Sequence, residues 1–231
     1  MGTVLAMSMH AMTKHGATVW AMVALVALAG CGSMNEGNLT GTALTAVRAR
    51  LDGTPVQPVA TAPVLTRAQA DANPGGFLVL NAYNGTVVTA MAAGARNGSR
   101  TTWLSAEGPS VTTQNGVLVA TRGFPRDLMA ADVDGVMRAL IAGGGSATRV
   151  HEILSDTDQI ETLTFACSLA SQGRETIGIL GRQIATERFD ETCQSDMLAF
   201  TNKYWIDDSG VMVRSLQAIA PESGYIQLDR P

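Results

Sequence analysis

Histidine is scarce in this chain. Three occur in 231 residues, and two of them, His10 and His15, lie ahead of an apolar run that ends at Gly30. Cysteine is as rare, with Cys31, Cys167 and Cys193 its only examples, and none falls in a CxxC or HExxH spacing. Zinc and iron sites draw several ligands from these two residue types, so no metal or cofactor is expected. Aromatic residues make up 5% of the chain, and each exposed one therefore matters to any sugar-binding surface. There is no basic run, and the formal charge is −4. A mildly acidic chain of this kind is a poor partner for nucleic acid or anionic lipid surfaces. Also missing is an apolar stretch of the roughly 20 residues needed to cross a bilayer, since the run from Gly16 to Gly30 is shorter.

That short run has the layout of a secretory signal. Lys14 supplies the charge, Ala17 to Leu28 the apolar core, and Ala29-Gly30 the small residues at the cut. Leu28-Ala29-Gly30-Cys31 resembles a bacterial lipobox, in which the Cys31 thiol takes a diacylglyceryl group and cleavage before it frees an amino terminus for acylation. Residues 1–30 are read as a lipoprotein signal peptide, and Met12 offers a second start, because Met1 to Ala11 adds nothing a signal requires. Multiple acyl chains, at about 0.8 kcal/mol per buried CH₂, anchor a protein stably. Removal of residues 1–30 leaves 201 residues, enough to bury a core, and one histidine, His151. His151 sits in the alternating stretch Thr148 to Ile153 and is read as an exposed strand residue rather than a general base.

The remaining cysteines lie 26 positions apart. In an oxidising compartment an even pair tends to bond, so Cys167 and Cys193 are expected to form a disulfide, the alternative being two buried thiols.

Residues 31–41 read as a polar tether and 42–75 as a helical and proline-rich segment. Leu44, Val47 and Leu51 have helical spacing, Pro55, Pro58 and Pro63 keep the next stretch extended, and Thr66-Arg-Ala-Gln caps a second short helix before Asn73-Pro-Gly-Gly. From 76 to 231 the signal is β. Asn84-Gly85, Asn97-Gly98 and Asn115-Gly116 each separate β-favouring runs, a strong hairpin signature, so 77–122 is read as an antiparallel meander. A helix comes next, with Leu128, Val133, Val136, Met137, Leu140 and Ile141 on one face and Gly143-Gly-Gly as its stop. Strands are expected at 148–154, 159–170 and 175–189, with Gly178 and Gly181 marking bulges or close backbone approach, then a helix over 194–200. A last hairpin turns at Asp207-Asp-Ser-Gly210, and Tyr225-Ile-Gln-Leu closes the chain.

The segments RNGSRTTWLSAEG (96–108), NGVLVATRGFPRDLMAAD (115–132), ETIGILGRQIATERFDETC (175–193), YWIDDSGVMVRSLQ (204–217) and SGYIQL (223–228) resemble, in fixed order, the YjbF/GfcB lipoproteins found with exopolysaccharide and capsule operons. The resemblance covers Phe77 to the end. It implies a mainly β fold of antiparallel, curved or bifurcated sheets with a few short helices. It also implies an outer-membrane lipoprotein facing the periplasm that assists secretion or assembly of a polysaccharide. It offers no catalytic residues. Gly32 follows Cys31, rather than the Asp that retains similar lipoproteins in the inner membrane.

Two functional classes stay open: a non-catalytic accessory protein that binds polysaccharide or export proteins, and a lipid carrier. The second arises because Tyr204 to Gln217 resembles the strand-turn-strand of periplasmic lipoprotein carriers, whose half-barrels hold acyl chains. A polysaccharide hydrolase stands third. Arg100, Trp103, Arg122 and Trp205 form the candidate ligand surface, with core packing the competing reading for each Trp and an ion pair with Asp127 the competing reading for Arg122.

Overall fold

A computed structural model describes residues 64–231, apart from 156 and 158. The expected signal peptide, Cys31, the tether and the Leu44–Leu51 helix lie outside the described residues. The first element is helix α1 (Arg67–Ala72). Thr66 caps it as expected: the Thr66 hydroxyl accepts from Gln69 N at 3.2 Å, and the Gln69 side chain accepts from Thr66 N at 2.8 Å.

Twelve antiparallel strands form one sheet. They are β1 (Phe77–Ala82), β2 (Val87–Asn97), β3 (Arg100–Ser105), β4 (Ser110–Gln114), β5 (Val117–Arg122), β6 (Leu128–Asp132), β7 (Gly144–Leu154), β8 (Ile160–Ile179), β9 (Arg182–Gln194), β10 (Ala199–Asp207), β11 (Met212–Ala218) and β12 (Tyr225–Asp229). Their order across the sheet is β5-β4-β3-β2-β1-β12-β11-β10-β9-β8-β7-β6. The last strand returns to the first, with Leu80 opposite Leu228. The two edge strands, β5 and β6, are consecutive in sequence and joined only by 123–127. So short a connection brings the edges together and rolls the sheet into a nearly closed barrel. The expected mainly β, antiparallel, curved fold is what forms.

Side chains seal the seam. The Thr121 hydroxyl accepts from Leu128 N at 2.9 Å, and the Arg122 guanidinium donates to the carbonyls of Leu128 and Met129. Further along β5, Leu118 N donates to Gln217 Oε1 at 2.8 Å and Leu118 O accepts from Arg149 Nη2 at 3.1 Å. An edge strand left bare would be costly if buried and adhesive if exposed, and here polar side chains take the place of a neighbouring ladder.

Alternation places the core inside. Leu78, Leu80 and Ala82 of β1 and Ile226 and Leu228 of β12 are buried at every second position, with Met91, Trp103 and Val111 beside them. In β5, Val117, Leu118 and Val119 are buried in succession, because both faces of that strand are covered.

The expected helix begins later than the sequence suggested. Helix α2 (Asp134–Ile141) buries Val136, Ala139 and Leu140, whereas Leu128 pairs with Ile153 inside the sheet and Ile141 is 83% exposed. Its apolar stripe is therefore narrower than the one expected. Three further expectations fail nearby. Strands β8 and β9 are one long hairpin whose turn is Leu180-Gly181, both at positive φ (46° and 79°), so Gly181 is a turn residue and not a bulge, and Gly178 pairs within the ladder. The break expected near 171–174 is only a shift of register between Ser171 and Gly173, with Gly173 at φ 89°. No helix forms over 194–200: Ser195 N donates to Leu198 O, the Ser195 hydroxyl accepts from Leu198 N, and β10 has begun by Ala199.

Beyond Ala170, β8 pairs with β9 alone. This distal arm packs back on Trp205, Val211 and Val213 through Ile177, Ile179 and Ile184. Arg214 Nη2 donates to Gly178 O at 3.1 Å, and Arg67 donates to the carbonyls of Ile179 and Leu180.

Candidate functional site

The barrel interior holds a polar cluster that period-two alternation brings together from four strands, β7 and, across β8, the neighbours β9 to β11. Arg149 and His151 of β7, Glu191 of β9, Asn202 and Tyr204 of β10, and Ser215 and Gln217 of β11 are all buried. Arg149 Nη1 lies 3.2 Å from Glu191 Oε2. That carboxylate also accepts from Asn202 Nδ2 at 2.7 Å and from the Tyr204 hydroxyl at 2.5 Å. Arg149 Nε donates to His151 Nε2 at 2.7 Å. Asn202 Oδ1 accepts from Ala218 N, and Gln217 Nε2 donates to Ser215 Oγ and Gly116 O. The cluster thus ties β5 at the seam to β7, β9, β10 and β11.

Burial and the Arg149–Glu191 pair set the local electrostatics. Burial alone would lower the Arg149 pKa, but the Glu191 carboxylate and the Tyr204 hydroxyl outweigh it and hold the pKa above its ordinary value. Burial, reinforced by the Glu191 charge, pushes Tyr204 well above 10. Burial and then the Arg149 charge push His151 well below 6.5, so its imidazole is neutral. Among the described residues no sealed side-chain nitrogen or oxygen lacks a hydrogen-bond partner. Arg149, Glu191, Asn202, Tyr204 and Gln217 have no accessible surface, so none can touch a substrate. The cluster is structural glue with one outlet, His151.

Cys167 and Cys193 face each other across β8 and β9 and are joined by a disulfide, with Cα atoms 4.1 Å apart. Cys193 Sγ lies 3.2 Å from Glu191 Oε1. As a disulfide sulfur it has no hydrogen to donate, so this is contact only. The same bonding leaves neither sulfur a thiolate to join Glu191 as a metal ligand.

Two kinds of concavity stand out. One is an apolar cavity of about 200 Å³ at the end of the barrel interior, lined by His151, Phe165, Leu198, Phe200, Ile219 and Tyr225 among others. The other is an open polar groove of about 780 Å³ that includes Asp132, Asp134, Arg138, Ser146 and Thr148.

Residues 38–230 match the family described as group 4 capsule polysaccharide lipoprotein GfcB, YjbF. The chain belongs to that family. A solved structure with the same fold is that of the hypothetical lipoprotein YmcC from Escherichia coli (K12), at 19% identity, covering 84% of this chain and 96% of that one with a TM-score of 0.62. No curated protein matches the chain. Among the described residues no helix is long and apolar enough to cross a membrane.

In this GfcB/YjbF-family chain the four residues singled out as a ligand surface do not converge. Trp103 is in the core, its Nε1 donating to Thr113 Oγ1 at 3.0 Å, and Trp205 is half-buried beneath the β8–β9 arm, its Nε1 bonded to the Glu175 carboxylate. They sit on β3 and β10, with four strands between them. Arg100 is exposed and donates to Gln114. Arg122 does not pair with Asp127. Asp127 instead accepts from the Thr121 hydroxyl and from Gly123 N and Phe124 N, so both residues serve the seam separately. His151 is buried rather than exposed. The alternation around Arg149 and His151 marked one face of a strand, but only the pairing of β7 through β11 shows that this face looks inward onto Glu191.

Proposed function

We propose that this chain is a lipid-anchored protein of the outer membrane, facing the periplasm, that serves as a non-catalytic accessory factor in secretion or assembly of exopolysaccharide or capsule. It acts by binding the polysaccharide or the proteins that export it. The observation that carries this reading is the family match over 38–230, to which the lipobox at Leu28 to Cys31 adds the means of attachment. The barrel interior supports an accessory role over a lipid carrier. It is packed with Leu80, Met91, Trp103, Phe189 and Tyr204, and its apolar cavity of about 200 Å³ is below the roughly 300–1,000 Å³ of sites that enclose drug-sized ligands. The polar groove beside α2, open to solvent, is the surface on which a hydrated polymer fits best.

The test is genetic. A strain lacking the gene is expected to lose most surface polysaccharide, the wild-type gene to restore it, and a Cys31→Ala gene to restore little. Unchanged polysaccharide in the deletion strain would refute the reading.

A further inference from the structure

The cavity at the barrel end has a property that its apolar lining hides. Arg149 Nε–H donates to His151 Nε2, so that nitrogen carries the lone pair and the imidazole proton sits on Nδ1. His151 is 3% exposed, and Nδ1 has no acceptor among the described residues. Because no sealed polar atom there lacks a partner, Nδ1 must open onto the cavity that His151 lines. Two phenyl rings stand beside the imidazole on a wall that is otherwise largely aliphatic, with Ile153, Leu163, Leu198 and Ile219 among its residues. Phe165 meets the imidazole edge to face at 5.2 Å, Phe200 stacks on it at 5.6 Å, and the two phenyl rings are 5.0 Å apart.

An apolar chamber with a single donor at its inner end selects strongly. A pyranose would bury several hydroxyls with only His151 Nδ1 and, at the rim, the Tyr225 hydroxyl to bond them, and an acyl chain would leave the inner donor unpaired. A chamber of about 150 Å³ holds one benzene ring, and this one is slightly larger. On its rim Tyr225 is 40% exposed, and Met197, next in sequence to the lining residue Leu198, is 75% exposed, residue types that favour contact with protein.

We infer that this cavity is a socket for one tyrosyl side chain of a partner protein, its ring seated against Phe165 and Phe200 and its hydroxyl oxygen accepting from His151 Nδ1–H. The inference deepens the accessory-factor reading and rests on it for the existence of a protein partner, while the chemistry of the socket is tested separately.

The purified full chain, held in lipid nanodiscs and labelled with ¹⁵N-histidine, is titrated with N-acetyltyrosinamide, N-acetylphenylalaninamide and free phenol. At pH 7 the His151 proton is expected on Nδ1. The tyrosyl probe should shift that resonance saturably, phenol should do the same, and the phenylalanyl probe should bind about tenfold more weakly for want of the acceptor. Ala199→Trp, at an exposed position on the mouth, should abolish the shift without disturbing the Arg149 network. Four results would each overturn the inference: a proton on Nε2, no saturable shift with any probe, equal binding of the tyrosyl and phenylalanyl probes, or binding of phenol alone. If the tyrosyl probe binds but deletion of the gene leaves polysaccharide unchanged, the socket stands and the export reading falls.

Discussion

Changing Glu191 to Gln isolates the charge at the centre of the barrel. The side chain is fully buried and accepts from Arg149, Asn202 and the Tyr204 hydroxyl. Gln keeps the shape, and its amide oxygen can still serve Asn202 and Tyr204. Its NH₂ group, however, meets Arg149 Nη1 donor to donor, at the site where Glu191 Oε1 lay 3.5 Å away, and the guanidinium loses its counter-charge. Stranding one member of a buried ion pair costs about 3–5 kcal/mol, a large share of the roughly 5–15 kcal/mol that holds a domain folded. Arg149→Met should cost about as much, since it also leaves Leu118 O and His151 Nε2 without their donor. The double variant removes both charges, so it should be no worse than either single change, with a coupling of more than about 2 kcal/mol. Urea unfolding followed by tryptophan fluorescence reads these values from the midpoint, provided the slope is unchanged. A cost below about 1 kcal/mol for Glu191→Gln, or strictly additive variants, would refute the idea that this cluster holds the seam.

The disulfide closes a loop of 26 positions, worth about 3–4 kcal/mol in the chain-entropy model. Unfolding free energies from urea titrations with and without reductant should differ by that amount, and coincident midpoints at equal slope would contradict it. His151 gives a pH dependence. Its folded pKa lies well below 6.5, so below about pH 6.5 the unfolded chain takes up a proton that the folded chain refuses. Stability is therefore complete above that pH and falls as the pH drops toward the folded value, by up to about 1.4 kcal/mol per unit. In His151→Gln, whose side-chain oxygen can still accept from Arg149, this slope should vanish between about pH 6.5 and 5.5, and an unaltered slope would assign it elsewhere.

Local chemistry was legible in the sequence where a turn or cap depends on a few adjacent residues. The Thr66–Gln69 capping box and the Asn115-Gly116 turn, with both of its residues at positive φ, form as expected, and so does the Asp207–Gly210 turn, whose Asp207 carboxylate accepts from Ser209 N and Val211 N. The β8–β9 turn was hidden because Leu180 is not a residue that advertises φ of 46°. The segment 195–198 resembled a helix locally, yet Cys193, bonded to Cys167 at the end of β9, and Phe200, packed on the Phe165 cluster, leave room only for a tight turn. The site was less legible still. Nothing near Glu191 in sequence announces Arg149, 42 positions away, and only closure of the sheet makes the two neighbours. Trp103 and Trp205 were too few to waste on a surface, and the fold uses both for packing and hydrogen bonding.

Attachment by lipid at Cys31 is the central claim, since the compartment, the oxidised cysteine pair and the export role all depend on it. Intact-mass analysis of the membrane-extracted protein tests it directly. The expected species begins at Cys31 and carries three acyl chains, whereas a chain starting at Met1 or Met12, or an unmodified residue 31, would contradict lipid anchoring.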